Sequence, residues 1–128
     1  WNKSPKQELA MKVIYRDPLF TLYCYQNGIM PEPSSVIHGG CQMGVSMLTV
    51  ELDKSVYACR RLPIKVGRVE DKFSLYDIFM KSDTMHSLVA FSECKKCDLY
   101  NNCRGCAASA YKEYGDATKI DPSCWSIS

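Results

Sequence analysis

Five cysteines fall within the thirty-one residues from Cys94 to Cys124, and the first four follow a Cys-x2-Cys-x5-Cys-x2-Cys rhythm. Thiols this close together, at ligand spacing, are more easily explained by a metal than by packing. Two more, Cys41 and Cys59, flank a hairpin-like segment upstream, and Cys24 lies further towards the N-terminus. A fold built on this chain has to carry distant thiols to the Cys94–Cys124 run. The rest of the sequence therefore reads as a frame around it.

The frame is one domain's worth of chain. Its 128 residues are 46% apolar, which argues for a modest core and against disorder. A formal charge of +2 is too small to imply nucleic acid. The basic pairs Arg60-Arg61 and Lys95-Lys96 each sit beside cysteines. They read either as solvated surface or as cations that offset an anionic cluster, since a four-thiolate cubane carries about −2 when oxidised. No stretch is long and apolar enough to cross a membrane, no signal peptide is evident, and a cytoplasmic protein is expected. The start at Trp1 reads as that of a piece of something larger. An even count of eight cysteines permits a secreted disulfide scaffold, but the missing signal and the tight Cys-x2-Cys pairs make that the weakest reading.

Taken in order, residues 5–14 predict an amphipathic helix capped by Ser4 and stopped by Arg16-Asp17-Pro18. Residues 19–25 (LFTLYCY) have β character and hold Cys24 as a buried strand thiol or a ligand. Residues 26–40 form a loop rich in glycine and proline, with His38 near its end as a surface residue or a minor ligand candidate. Residues 46–59 alternate as a hairpin with a turn at Asp53-Lys54, which carries Cys59 back towards Cys41. Residues 60–70 are extended, broken at Pro63 and Gly67. Ser74 is expected to cap one helix and Asp83 a second, with His86 on the surface of the latter. A last helix starts at Cys106 and stops at Gly115. The fold class is α+β: a small cysteine-rich domain with a β-hairpin, short helices and long loops wrapped around metal clusters. No phosphate loop, nucleophile elbow or paired-histidine zinc motif is present, so no hydrolase reading survives.

A single zinc ion is a poor fit to the cysteine run. Zinc ribbons separate their two knuckles by about 15–20 residues, whereas five separate Cys97 from Cys103. Dividing the thiols between two centres relieves the strain, and eight thiols suffice for two four-iron clusters. Spacing alone leaves two zinc ions open, because thiolate suits both metals.

From Cys41 to Cys124, about 85 of the 128 residues, the chain resembles a SPASM domain, the C-terminal auxiliary-cluster domain of radical S-adenosylmethionine enzymes. The cysteines match that family's pattern in number and order, together with SVYACRRLPIKVG, SLYDIF, CRGCA and DPSCW. Two positions depart from it. Lys54 stands where the family has a turn glycine, which predicts a different turn, and CRGC is one residue shorter than the usual CRGGC, which bears on the reach of Cys106.

The resemblance implies one [4Fe-4S] cluster on Cys41, Cys59 and Cys106, with Cys24 a candidate fourth ligand, and a second on Cys94, Cys97, Cys103 and Cys124. It assigns residues 41–128 to the cluster domain and leaves 1–40 as an N-terminal helix, strand and linker, expected as either a remnant of, or a link to, a radical S-adenosylmethionine barrel. The catalytic Cys-x3-Cys-x2-Cys motif is missing, so this chain alone cannot cleave S-adenosylmethionine by that chemistry. The expected partners are a catalytic domain, fused or separate, and a peptide substrate. The expected role is electron transfer, substrate binding or both, in a peptide-modifying enzyme. The alternative is a standalone zinc- or peptide-binding module on the same scaffold.

Overall fold

A computed structural model describes residues 17–29, 35–37 and 39–126. The helix expected over 5–14 and the loop residue His38 lie outside the described residues. The architecture is α+β: a three-stranded antiparallel sheet with helices before and after it. No helix among the described residues is long and apolar enough to cross a membrane.

The segment expected as a strand is a helix, α1 (Pro18–Gln26). The local chemistry gives the reason. Asp17 is extended, as a residue before proline prefers to be, and that is also the conformation of an N-cap. Its Oδ1 accepts from the Leu19 amide at 2.9 Å, and Pro18 supplies the fixed φ of a first helical turn. The Asp-Pro pair therefore starts a helix. At the other end Gly28 is left-handed at φ 67°; its amide reaches the Tyr25 carbonyl and the Ile29 amide reaches Cys24. That is the paired hydrogen-bond closure of a Schellman motif. Leu19, Thr21, Leu22 and Cys24 are the buried residues of α1.

The hairpin is present as β1 (Thr49–Val50) and β2 (Ser55–Cys59), with Val50 opposite Val56. Lys54 takes φ 69°, the left-handed region that favours glycine, so its side chain is tolerated on a glycine-like backbone. Asp53 steadies the turn through the Ser55 amide and hydroxyl, at 2.9 and 2.8 Å. Residues 62–68 form a third strand, β3 (Leu62–Arg68), which runs through both expected breaks. Pro63 is accommodated because β3 is an edge strand, where a missing N–H need not cost a ladder bond. Gly67 is needed for packing: a Cβ there would lie 2.5 Å from the side chain of Ile78 in the helix above.

That helix is α2 (Ser74–Lys81), followed by α3 (Asp83–Ala90). Both expected caps shift by one residue. Ser74 is the first residue of α2 rather than its cap, and its hydroxyl accepts from the Glu70 and Asp71 amides of the preceding turn. Ser82 caps α3, accepting from the Met85 amide, and also donates to the Val66 carbonyl of β3. A serine cap that ties two elements together outcompetes the neighbouring aspartate. His86 is exposed on α3, as expected. α4 (Ala107–Tyr114) begins after Cys106 and ends at left-handed Gly115.

The core gathers Met43, Val56, Ala58, Leu62, Val66, Met85, Leu88 and Ala117, drawn from the sheet, α3 and the loops beside the cysteines. Cys41, Cys59, Ala107 and Ala108 pack against its margin, so the core also fixes the backbone from which the thiols project. Leu62 is 1% exposed. Leu62→Ala is expected to cost about 2–4 kcal/mol through lost burial and the cavity left behind, read as a lower urea midpoint at unchanged slope.

Candidate metal centre

All eight cysteines are free thiols; four of them line one cavity, and Cys59 and Cys106 lie within electrostatic reach of Cys41. Cys94 rides on a short 3-10 turn (Glu93–Lys96), whose backbone bond from the Cys97 amide to the Cys94 carbonyl closes the first Cys-x2-Cys loop. Cys103 follows a turn closed by its own amide on the Leu99 carbonyl, and Cys124 one closed on Asp121. These three turns deliver Cys94, Cys97, Cys103 and Cys124 to the wall of one cavity of about 370 Å³. They lie within electrostatic reach: Cys124 and Cys97 act on Cys94, and Cys124, Cys94 and Cys97 act on Cys103.

The second group is Cys41, Cys59 and Cys106. Cys59 ends β2, Cys106 caps α4, and both act on the Cys41 thiol. The hairpin thus returns Cys59 to Cys41. Cys41 and Cys106 line a smaller cavity of about 20 Å³, room for one water, which Cys94 also reaches. Cys24, on the buried side of α1, is 5% exposed.

Close backbone approach holds the two groups side by side. The Cys41 amide donates to the Cys103 carbonyl at 3.0 Å. Arg104 and Gly105, the two residues between Cys103 and Cys106, both have positive φ, 67° and 58°. The resulting tight reversal turns Cys103 and Cys106 to different cavities. A Cβ on Gly105 would lie 3.1 Å from the Cys94 sulfur and 3.3 Å from the Asp121 Cβ, so glycine is required for space as well as for conformation.

Three residues matter here that cysteine spacing did not single out. Asp121 is buried, and its Oδ2 accepts from the Cys106 amide at 2.9 Å while Oδ1 accepts from Ser123. It therefore positions a thiol of each group. Arg61 donates from Nη2 to the Cys106 sulfur at 2.9 Å. One cation of the Arg60-Arg61 pair thus lies directly on a cysteine sulfur. Arg104 is 8% exposed and donates at 2.6 Å to each of the Cys41 and Met43 carbonyls. The sequence signals were the Arg-Gly inside CRGC and the Asp of DPSC; neither shows its partner without the fold.

Burial pushes the Cys103 thiol up to about 11, and burial also raises Cys41 and Cys94. Cys106 goes the other way. Burial would raise it, but the Ser109 hydroxyl and amide and the Arg61 guanidinium outweigh that and hold it below 9.0. In the metal-free chain at pH 8, iodoacetamide is therefore expected to modify Cys106 about tenfold or more faster than Cys103, because only thiolate reacts. Peptide mass spectrometry checks the order. The Cys103 rate should climb with pH towards about 11, and Arg61→Gln should slow Cys106 alone.

The donor set fits a thiophilic group. Among the described residues, no three His, Cys, Asp or Glu side chains are placed to hold one metal ion. Single-ion geometry is tight, since Zn–S bonds of about 2.3 Å put sulfurs only ~3.8 Å apart. A four-iron cage stands between its thiolates and spreads them further. The 370 Å³ cavity, with the buried guanidinium of Arg104 in its lining, suits such a cage. Searches of family models, curated proteins and solved structures find no match to this chain.

Proposed function

We propose that this chain is the auxiliary cluster module of a radical S-adenosylmethionine enzyme that modifies peptides, with two [4Fe-4S] clusters serving electron transfer, substrate binding or both. The observation that carries the reading is the cavity walled by Cys94, Cys97, Cys103 and Cys124, with a buried guanidinium beside it. Thiols from separate turns surround one space too large for a single ion. The second centre would rest on Cys41, Cys59 and Cys106, whose three thiols leave a fourth position for substrate or another ligand.

Bound in such a site, a cubane cluster supplies one-electron transfer. The chain's own part is positioning and electrostatics. The 3-10 turn, the turn closed on Leu99 and the Asp121 turn set the four sulfurs. Asp121 ties Cys106 to the Cys124 turn, and the Cys41–Cys103 backbone bond fixes the two thiol groups side by side. Burial keeps Cys41, Cys94 and Cys103 protonated at neutral pH, so loading releases protons and is favoured by rising pH. Catalysis would come from a separate or fused domain bearing the missing Cys-x3-Cys-x2-Cys motif.

The test is iron, sulfide and zinc per chain after strictly anaerobic purification and reconstitution, with electron paramagnetic resonance of the reduced sample. About eight irons with matching sulfide and a reduced cubane signal are expected. Zinc without sulfide would replace this reading with that of a structural scaffold.

A further inference from the structure

Arg104 presents an unbalanced electrostatic account. Its side chain lies between the two thiol groups and lines both cavities. Nη1 donates to the Cys41 carbonyl, Nη2 to the Met43 carbonyl, and the guanidinium sits 5.6 Å from the centre of the Tyr100 ring. Nε is buried with no partner at all. Among the described residues, no carboxylate forms an ion pair with Arg104. Two carbonyls and a ring face solvate a cation but leave its charge uncancelled, and a buried, unpaired charge costs several kcal/mol. A natural fold leaves such a donor and charge in place when an anion absent from the protein's own atoms meets them.

Resting on the cluster reading above, we infer that Arg104 is the shared counter-cation of the two thiol-bound groups, its buried and uncancelled charge lying beside both cavities. A four-thiolate cubane gains one negative charge on reduction, so a fixed cation beside it stabilises the reduced form more than the oxidised one and raises the potential. The Nη hydrogen bonds do a second job: they hold the guanidinium plane against the Cys41 loop, so its position relative to both groups is fixed. Lysine could keep the charge but not the forked grip on two carbonyls.

The experiment is a potentiometric titration, followed by electron paramagnetic resonance, of the anaerobically reconstituted full chain and of its R104Q and R104K variants. R104Q is expected to shift the midpoint to lower potential, and R104K to recover most of that shift. An unchanged midpoint in R104Q, or equal shifts in both variants, overturns the inference. If R104Q fails to fold, the wild-type chain labelled with ¹⁵N-arginine decides. A nitrogen hyperfine coupling to the reduced cluster that persists in labelled R61K supports the assignment, and its absence overturns it. A wild-type chain that takes up no iron and sulfide brings down the cluster reading itself; a loaded wild type with an indifferent Arg104 brings down only this inference.

Discussion

Replacing Gly40 by alanine is expected to cost about 3–5 kcal/mol, a large share of the stability of a domain this size. Two penalties add at this position. Gly40 has φ 68°, where a Cβ costs about 1–2 kcal/mol. The added methyl would also stand 2.0 Å from the Cys103 carbonyl oxygen and 2.8 Å from that of Asn102. Both obstacles are backbone, so neither can rotate away. Relief requires the 39–41 segment to lift off the 102–103 turn, which breaks the bond from the Cys41 amide to Cys103 and draws Cys41 off Arg104. Gly115→Ala is the control. Gly115 has φ 70° but open space around its Cβ position, so alanine there pays the conformational cost alone, about 1–2 kcal/mol. Urea unfolding of the two variants separates the terms. Equal losses would mean that the two loops do not pack as closely as described.

The same close approach marks the limit of what could be read from the chain. Gly39-Gly40 reads as a breaker, which is correct, but nothing in the local sequence says that the breaker lies flat on a turn sixty residues later. The α1 segment failed for a different reason. LFTLYCY is aromatic and apolar, so its side chains suit a strand, while Asp17-Pro18 before it and Asn27-Gly28 after it are helix start and stop signals. The end signals prevailed, because capping satisfies the backbone groups that a short helix leaves open. By contrast, the sheet hairpin and the Gly115 stop follow from the local pattern and were legible. Arg104 and Asp121 were not. Each acts on residues many positions away: Arg104 on Cys41 and Met43, Asp121 on Cys106. A charge's role depends on where the fold buries it, and spacing carries no record of that.

Removing one thiol from each group should divide the metal content in two. Cys103→Ser is expected to take reconstituted iron from about eight to about four per chain, because a hydroxyl is a poor substitute for thiolate at a soft metal. Cys106→Ser should lose the other four and leave the 370 Å³ site loaded. The two variants should differ beyond the count. With Cys103 altered, the remaining centre is the one with three thiols, Cys41, Cys59 and Cys106, whose open position admits an exogenous ligand. Its reduced spectrum should therefore change on adding a small thiol. With Cys106 altered, the remaining centre has four thiols and should ignore the same addition. The double variant should hold no iron. A loss of all iron from either single variant would mean that the groups load only together, as expected if the Cys41–Cys103 bond and Arg104 must both be in place before either centre closes. Retention of about eight irons in either variant would mean that the altered cysteine is not a ligand. The division into two groups rests on backbone placement, so it should hold whichever thiol of a group is chosen: Cys94→Ser should match Cys103→Ser, and Cys59→Ser should match Cys106→Ser.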